Sequence, residues 1–319
     1  MNGSSDRFLA LSGGIGGAKL ALGLSHVLEK TQLTVIANTG DDFEHFGLYI
    51  SPDVDTLIYT LADINNTKLG WGRRDETWNF MDACSEVGLD TWFRLGDRDL
   101  AVHLYRSNRL KQGATLSDIV RELCAGFSVR SEIIPMSDHP VRTIVETDSG
   151  ILPFQEYFVK HRCKPRVAAI HFEGIDEAMP APGFLKRLQD PGLRAIIICP
   201  SNPFLSVHPI LSLPGIKQDF KTGVRPVIVV SPIVQGQALK GPTTKLMREL
   251  KLETDVVTIA GIYKDIADAV VIDTQDTEFT QEIESMGITV HTANIVMRTL
   301  QDRINLAKDV VKFAHDLSH

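Results

Sequence analysis

The chain has 319 residues, of which 43% are hydrophobic and 23% charged. That composition excludes a disordered, collagen-like or fibrous protein and allows one large α/β domain or two modest ones. Lys and Arg number 33 against 40 Asp and Glu, a net charge of −7, which disfavours a protein that grips nucleic acid through its phosphates.

Phe8–Leu11 reads as a short buried strand that runs into the glycine turn Gly13–Gly17 and then an apolar helix from Ala18 to about Leu28. Leu33–Ala37 is a second, β-branched strand, so the chain opens as a βαβ unit. A helix follows Ser51-Pro52, with Val54, Leu57, Ile58 and Leu61 at i, i+3, i+4, i+7 spacing. Ser51 is expected to cap it, and Pro52 suits its first turn. Residues 64–165 differ in character: they hold Trp71, Trp78 and Trp92, a helix over Ile119–Ala125 behind Thr115-Leu-Ser-Asp118, and a hairpin of Val141–Glu146 and Leu152–Phe158 around a polar turn. They read as an insertion that caps a core made of residues 1–63 and 166–319.

The core pattern then resumes in the runs Val167–Ile170, Ala195–Cys199, Val227–Val230, Val256–Ile259, Ala269–Asp273 and Ile288–His291. Near-continuous Val/Ile runs suit a sheet buried on both faces. A closing helix is expected from about Asn294 to Leu317. The predicted class is α/β: a mostly parallel sheet with helices on both faces, plus a helical and β-hairpin insertion. Cys84, Cys124, Cys163 and Cys199 are far apart, lack Cys-x-x-Cys spacing and read as idle free thiols. No run approaches the roughly 18 apolar residues of a membrane span, and Met1–Arg7 lacks the blocks of a signal peptide, so a cytoplasmic location is the default expectation.

Four stretches carry candidate chemistry. In Ser12-Gly-Gly-Ile-Gly-Gly-Ala-Lys19, a glycine turn between strand and helix lets backbone N–H groups approach an anion, and Lys19 adds a cation. The string breaks the strict dinucleotide fingerprint at Lys19 and lacks the Gly-Lys-[Ser/Thr] of a Walker loop. A turn needed only for packing is the competing reading. Asn38-Thr-Gly-Asp-Asp42 and Ser51-Pro-Asp-Val-Asp55 bring Asp41, Asp42, Asp53 and Asp55 toward the carboxyl end of the sheet. Capping explains Asp53 and Asp55 singly, because a helix start favours carboxylates. Four together require a cation or a proton, and hard oxygen ligands beside a phosphate point to Mg²⁺. Asp41 or Asp42 binding a ribose is a rival.

Pro200-Ser-Asn-Pro203 and Ser231-Pro-Ile233 each follow a buried strand, where open α/β sheets bind ligands, and Lys240 downstream is a possible phosphate partner. In Gly96-Asp-Arg-Asp99, ahead of a helix from about Leu100 to Leu110, Arg98 suits a planar or anionic ligand or a surface ion pair. The tryptophans of Trp71–Trp78 suit either a core or a stacking wall. His45, His103, His139 and His171 show no zinc spacing, and neither G-x-S-x-G nor H-E-x-x-H occurs.

These motifs, with Gly70-Trp-Gly72 and Leu95-Gly-Asp-Arg-Asp99 in the same order, together resemble the 2-phospho-L-lactate transferase family of coenzyme F420 biosynthesis over about residues 8 to 300. The resemblance implies a Rossmann-like, Mg²⁺-dependent and commonly dimeric enzyme. It would move a phospholactyl, phosphoenolpyruvyl or phosphoglyceryl group from a guanosine-diphosphate-linked donor to the deazaflavin alcohol Fo, releasing GMP. Gly13, Gly14, Gly16, Gly17, Lys19, Ser201, Asn202, Ser231 and Pro232 would hold the nucleotide. Asp55, Asp97 and Arg98 would contact the deazaflavin, and the insertion would bind this acceptor. Asp41, Asp53 and Asp55 would ligate the metal, and Asp41 or Asp42 would take or orient the acceptor proton. Two further readings stay open: a nucleotide-sugar-binding regulator resembling gluconeogenesis-factor-like relatives, and an NAD(P)-linked oxidoreductase.

Overall fold

The computed structural model describes residues 6–239 and 241–317. In chain order the elements are β1 (Arg7–Ser12), α1 (Gly14–Val27), β2 (Leu33–Ala37), β3 (Phe43–His45), β4 (Leu48–Ile50), α2 (Pro52–Leu61), α3 (Asn79–Glu86), α4 (Asp97–Lys111) and α5 (Leu116–Gly126). Then come β5 (Glu132–Pro135), β6 (Arg142–Thr147), β7 (Gly150–Pro153), β8 (Val167–Glu173), α6 (Pro182–Leu188), β9 (Leu193–Ile198), α7 (His208–Leu211), α8 (Ile216–Thr222) and β10 (Val227–Val230). The last are β11 (Ile233–Val234), β12 (Gln237–Ala238), α9 (Thr243–Glu249), α10 (Val256–Tyr263), β13 (Ala269–Asp273), α11 (Thr280–Glu284), β14 (Thr289–Ala293) and α12 (Leu300–Asp316).

Seven strands form one parallel sheet in the order β14-β13-β10-β9-β1-β2-β5. Alternation along each strand feeds two cores. Phe8 and Ala10 face a core with Leu20, Leu24, Leu57, Ile119, Leu306 and Val310, while Leu9 and Leu11 face one with Phe184, Ile210, Ile216 and Ile259. Each such Leu or Ile, fully withdrawn from water, contributes roughly 2 kcal/mol, and helices on both faces are what permit a wholly parallel sheet. The chain adds strands to one side (β1, β2, β5) and then returns to extend the other (β9, β10, β13, β14). The strand order therefore reverses between β1 and β9, and the carboxyl ends of those two strands flank the crevice in which such sheets bind ligands.

The predicted α/β class is what the structure shows, with differences in detail. Val256–Ile259, expected as a strand, is the first half of α10: Asp255 caps it by accepting the Thr258 N–H at 2.7 Å, and Val256, Ile259, Ala260 and Tyr263 are buried at helical spacing. Val167–Ile170 is a strand but lies outside the main sheet, pairing antiparallel with β6 in a small sheet ordered β7-β6-β8. Conversely, β5, inside the expected insertion, is an edge strand of the main sheet. The boundaries at 64 and 165 thus do not divide the sheets. The hairpin is present, but its second limb stops at Pro153 and a π-helical turn covers Glu156–Lys160.

Three helices begin elsewhere than expected: α1 at Gly14, so the glycines form its first turn, α4 at Asp97, and α12 at Leu300, behind a Thr299–Asp302 capping box. Ser51 makes no capping hydrogen bond to α2; its hydroxyl donates to Asp42 instead. All four cysteines are free thiols. Among the described residues, no helix is long and apolar enough to cross a membrane.

Candidate active site

The glycines at the start of α1 answer first to packing. A Cβ on Gly16 would lie 2.3 Å from the Pro200 carbonyl oxygen, and one on Gly17 2.4 Å from the Ser12 hydroxyl and 2.6 Å from that of Ser201. A Cβ on Gly13 would meet Ser206 at 2.4 Å. The loop after β9 therefore presses directly on the helix start across the β1/β9 crevice. Gly13 donates its N–H to the Ser201 hydroxyl at 3.3 Å, and Gly14 donates to Asp53 Oδ1 at 2.7 Å. The protein's own carboxylate thus sits at the positive end of the helix, as an anion would.

Asp53 is one of three buried carboxylates gathered here. Asn38, at the end of β2, donates its amide to Asp53 Oδ2 at 2.9 Å and to the Leu205 carbonyl at 3.2 Å. Asp42 accepts the Ser51 hydroxyl through Oδ2, while its buried Oδ1 has no partner. Asp41 Oδ1 lies 3.4 Å from the Thr143 hydroxyl. Burial pushes the Asp42 carboxyl up to about 7, against the pull of Ser51, Arg142 and Arg106. It lifts Asp53 to about 6, against the Asn38 amide and the Gly14 N–H. Asp41 is held well above the ordinary carboxylate range by burial and then by the charges of Asp53 and Asp42. Asp41 thus feels the charge of both neighbours, a strain that a proton or a cation would relieve, although the three carboxylates do not bring their oxygens together as closely as Asp55, Asp99 and His103 do.

Asp55 does not join that trio. Two positions beyond Asp53 on α2, it belongs to a buried polar network between α2 and α4. Arg106, wholly buried, donates to Asp55 Oδ1, to the Tyr49 carbonyl at 3.3 Å and toward His103 Nδ1, also at 3.3 Å. His103 Nδ1 is 3.6 Å from Asp55 Oδ2, and its Nε2 is 3.4 Å from Asp99 Oδ1, which also accepts the Tyr59 hydroxyl. Burial works to raise the Asp99 pKa, but His103, Tyr59 and Arg106 overcome it and hold the carboxyl low. Asp55, Asp99 and His103 each place one possible metal ligand within 4.8 Å of the others. The Arg106 guanidinium already supplies the positive charge there, so the arrangement favours a fixed ion-pair network.

Arg106, Tyr59 and His103 were not singled out as site residues in the sequence. Asp99, His103 and Arg106 nevertheless fall at i, i+4, i+7 spacing, and a polar stripe of that period on one helix was the available signal.

At the start of α4, Asp97 is fully engaged. Its carboxylate accepts from the Thr77 hydroxyl, from the Asn79 N–H and amide, and from the Phe80 N–H, fastening the start of α3. Glu76 accepts the N–H groups of Arg98 and Asp99 at 2.7 and 2.9 Å. Arg98 is exposed, and its guanidinium has no ion pair among the described residues. Of the three expected acceptor contacts, Arg98 is exposed, Asp55 is buried with His103 beside its Oδ2, which accepts no hydrogen bond, and Asp97 is committed to the fold.

The remaining expected nucleotide residues sit at the same end of the sheet. Ser201 faces Gly13, and Asn202 caps the π-helical turn Pro203–Val207 by accepting from Phe204 and Leu205. Ser231, at the end of β10, exchanges hydrogen bonds with Ile233, and the Pro232 carbonyl accepts from Leu239. The Lys19 ammonium donates to the Met297 carbonyl at 2.9 Å, toward the segment that leads into α12. Lys240 lies outside the described residues.

Comparison with known proteins decides the family. The family model described as 2-phospho-L-lactate transferase CofD matches residues 8–304. The chain belongs to this family. It is 36% identical to a 2-phospho-L-lactate transferase of Methanococcoides burtonii, over 95% of this chain and 98% of that one. It is 37% identical to one of Methanocaldococcus jannaschii, over 96% and 98%, and 36% identical to a phosphoenolpyruvate transferase of Kitasatospora aureofaciens, over 98% and 99%. Among solved structures, a UPF0052-family protein of Bacillus halodurans superposes with a TM-score of 0.63 at 14% identity, over 96% of this chain and 99% of that one, which establishes a shared fold.

Proposed function

We propose that this member of the 2-phospho-L-lactate transferase family moves a phosphorylated three-carbon acid from a guanosine-diphosphate-linked donor to the hydroxyl of the deazaflavin Fo. It would release GMP in coenzyme F420 biosynthesis. The observation that carries the reading is the buried group of Asp41, Asp42 and Asp53, of which Asp53 holds the start of α1, at the reversal of strand order.

In this reading the acceptor hydroxyl oxygen bonds to the phosphorus that bears the three-carbon acid, and the bond from that phosphorus to the GMP oxygen breaks. The acceptor proton passes to a carboxylate. Asp42 suits that role, because a carboxyl whose pKa burial lifts to about 7 is matched to a proton abstracted at neutral pH, with the Tyr49 hydroxyl at hand beside it. Asp41 and Asp53 would hold Mg²⁺, which supplies charge neutralisation on the diphosphate as GMP departs. Asp55, oriented by Arg106, and Arg98 would receive the acceptor. The Ser201 and Ser231 loops would face the nucleotide. The working unit is a homodimer in the same reading, testable by light scattering.

The fold likeness to the UPF0052 protein, at 14% identity, gives the regulator reading far less support than relatives at 36–37% give transfer. The test is mass spectrometry of reactions containing Mg²⁺, Fo and each of the lactyl, enolpyruvyl and glyceryl donors. One donor should yield the Fo phosphodiester and GMP in equal amounts. Failure of all three overturns the proposal.

A further inference from the structure

The loop between α2 and α3 leaves two large apolar side chains in water, Leu69 at 51% and Trp71 at 44% exposure. One bare tryptophan is unremarkable on a protein surface, but this one is carried on a built loop. Asn65 and Arg73 form an antiparallel bridge. The Asn66 side chain accepts the N–H groups of Lys68 and Leu69 at 3.1 and 3.0 Å, its N–H donates to the Gly72 carbonyl, and its carbonyl accepts from Gly70. Trp71 stands between Gly70 and Gly72, both left-handed at φ +81° and +70°, a backbone course that side-chain-bearing residues resist.

The position of the tip is informative. A Cβ on Gly70 would lie 3.8 Å from Ile15 Cδ1 in the first turn of α1, and one on Gly72 3.8 Å from Asp99 Oδ2 at the start of α4. Arg73 donates to the Arg98 carbonyl at 3.3 Å, tying the loop to the helix start that bears Arg98. One side of the indole meets Trp78 edge-on, with centroids 6.0 Å apart, and Trp78 is itself covered by the Arg94 guanidinium at 4.3 Å. Trp71 is therefore braced on one side and bare on the other, on the rim between the helix start beside the carboxylates and the helix start that bears Arg98.

We propose that Trp71 is the platform on which the planar ring of the acceptor stacks, with Leu69 extending the apolar wall. The two would set a preference for flat heteroaromatic acceptors over simple polyols. An offset stack contributes through the ring face and needs no hydrogen bond, which suits an indole whose N–H bonds to none of the described residues. The proposal rests on the acceptor reading given above.

The test compares the wild type with Trp71→Phe and Trp71→Ala, each first shown to keep the wild-type melting curve. Two readouts are taken: KM for Fo and for the donor, and quenching of intrinsic tryptophan fluorescence on titration with Fo and, separately, with riboflavin. Trp71→Ala should raise the Fo KM about tenfold and Trp71→Phe about two- to threefold, a spread set by stacking strength. Donor KM should stay within twofold, and both variants should lose most of the quenching. An Fo KM and quenching unchanged in Trp71→Ala would overturn the proposal while transfer itself stands. If the wild type turns over no Fo, yet riboflavin quenches it and the quenching vanishes in Trp71→Ala, the transfer reading falls and the platform stands. Absence of both turnover and quenching in the wild type overturns both.

Discussion

Asp42 shows how burial shifts an ordinary carboxylate toward the range the proposed base role needs, and the same shift makes it a burden on stability. Its folded pKa of about 7 exceeds the ordinary 3.8. Between those values the unfolded chain has already released the proton that the native state keeps, so the native state binds more protons and this group's contribution to stability falls as pH rises. Asp42→Asn removes that dependence. Its melting temperature relative to wild type should climb between pH 4 and pH 7, by an amount equivalent to a few kcal/mol, in calorimetric scans without added metal. Turnover should drop about 100-fold or more if Asp42 takes the acceptor proton. Arg106 presents the opposite case. Arg106→Met would leave Asp55 buried without its cation, and denaturant titration should show a loss of about 3 kcal/mol or more. Adding Asp55→Asn should recover part of it. The carboxylates of the site were legible because Asp-Asp and Asp-x-Asp stand out after a strand and at a helix start. Arg106 was harder to read: it precedes Arg109 and Lys111 in a run that suggests a solvated helix face, the spacing with Asp99 and His103 is the one hint, and its buried bond to Asp55 singles it out.

At the scale of elements, the glycine-rich start of α1 left two readings open in the sequence, an anion cradle and a turn required by packing, and the structure shows the packing requirement. A phosphate cradle and close packing call for the same residue type, so the sequence could not separate them; the Pro200 carbonyl oxygen does. Gly16→Ala would push a methyl group onto backbone and should cost about 3 kcal/mol with visible loss of cooperative melting. Gly261→Ala in α10, where a new Cβ meets nothing within 4 Å, should instead stabilise by roughly 0.5–1 kcal/mol. Paired chemical denaturation of the two variants checks both signs. Val256–Ile259 was misread because four consecutive apolar residues fit a buried strand or a buried helix equally. The deciding residues, Asp255 as cap and Tyr263 at the next buried position, flank the run.

Across the whole molecule, the parallel core was legible from its Val/Ile runs, and with it the end of the sheet where ligands bind. The place of β5 was not, because its pairing with β2 joins segments separated by the α2–α5 stretch and leaves no local trace. On the proposal that Asp41 and Asp53 hold Mg²⁺, the intact protein gains a further testable property. Mg²⁺ bound to the native state alone must raise the melting temperature with metal concentration. That rise should appear in the wild type and disappear in Asp41→Asn and Asp53→Asn, as followed by differential scanning fluorimetry.

The meeting of Gly13 with Ser201 spans 188 positions of sequence. During synthesis, β1, α1 and β2 emerge long before the loop that presses on the glycine turn exists. The glycine-rich first turn then waits without its opposing wall. Only after β9 inserts beside β1 does the crevice acquire two sides, and contacts of such separation form slowly. A nascent chain halted before residue 200 would hold every carboxylate of the site but not the segment of Leu205 and Ser206 that closes over Asn38 and the glycine turn.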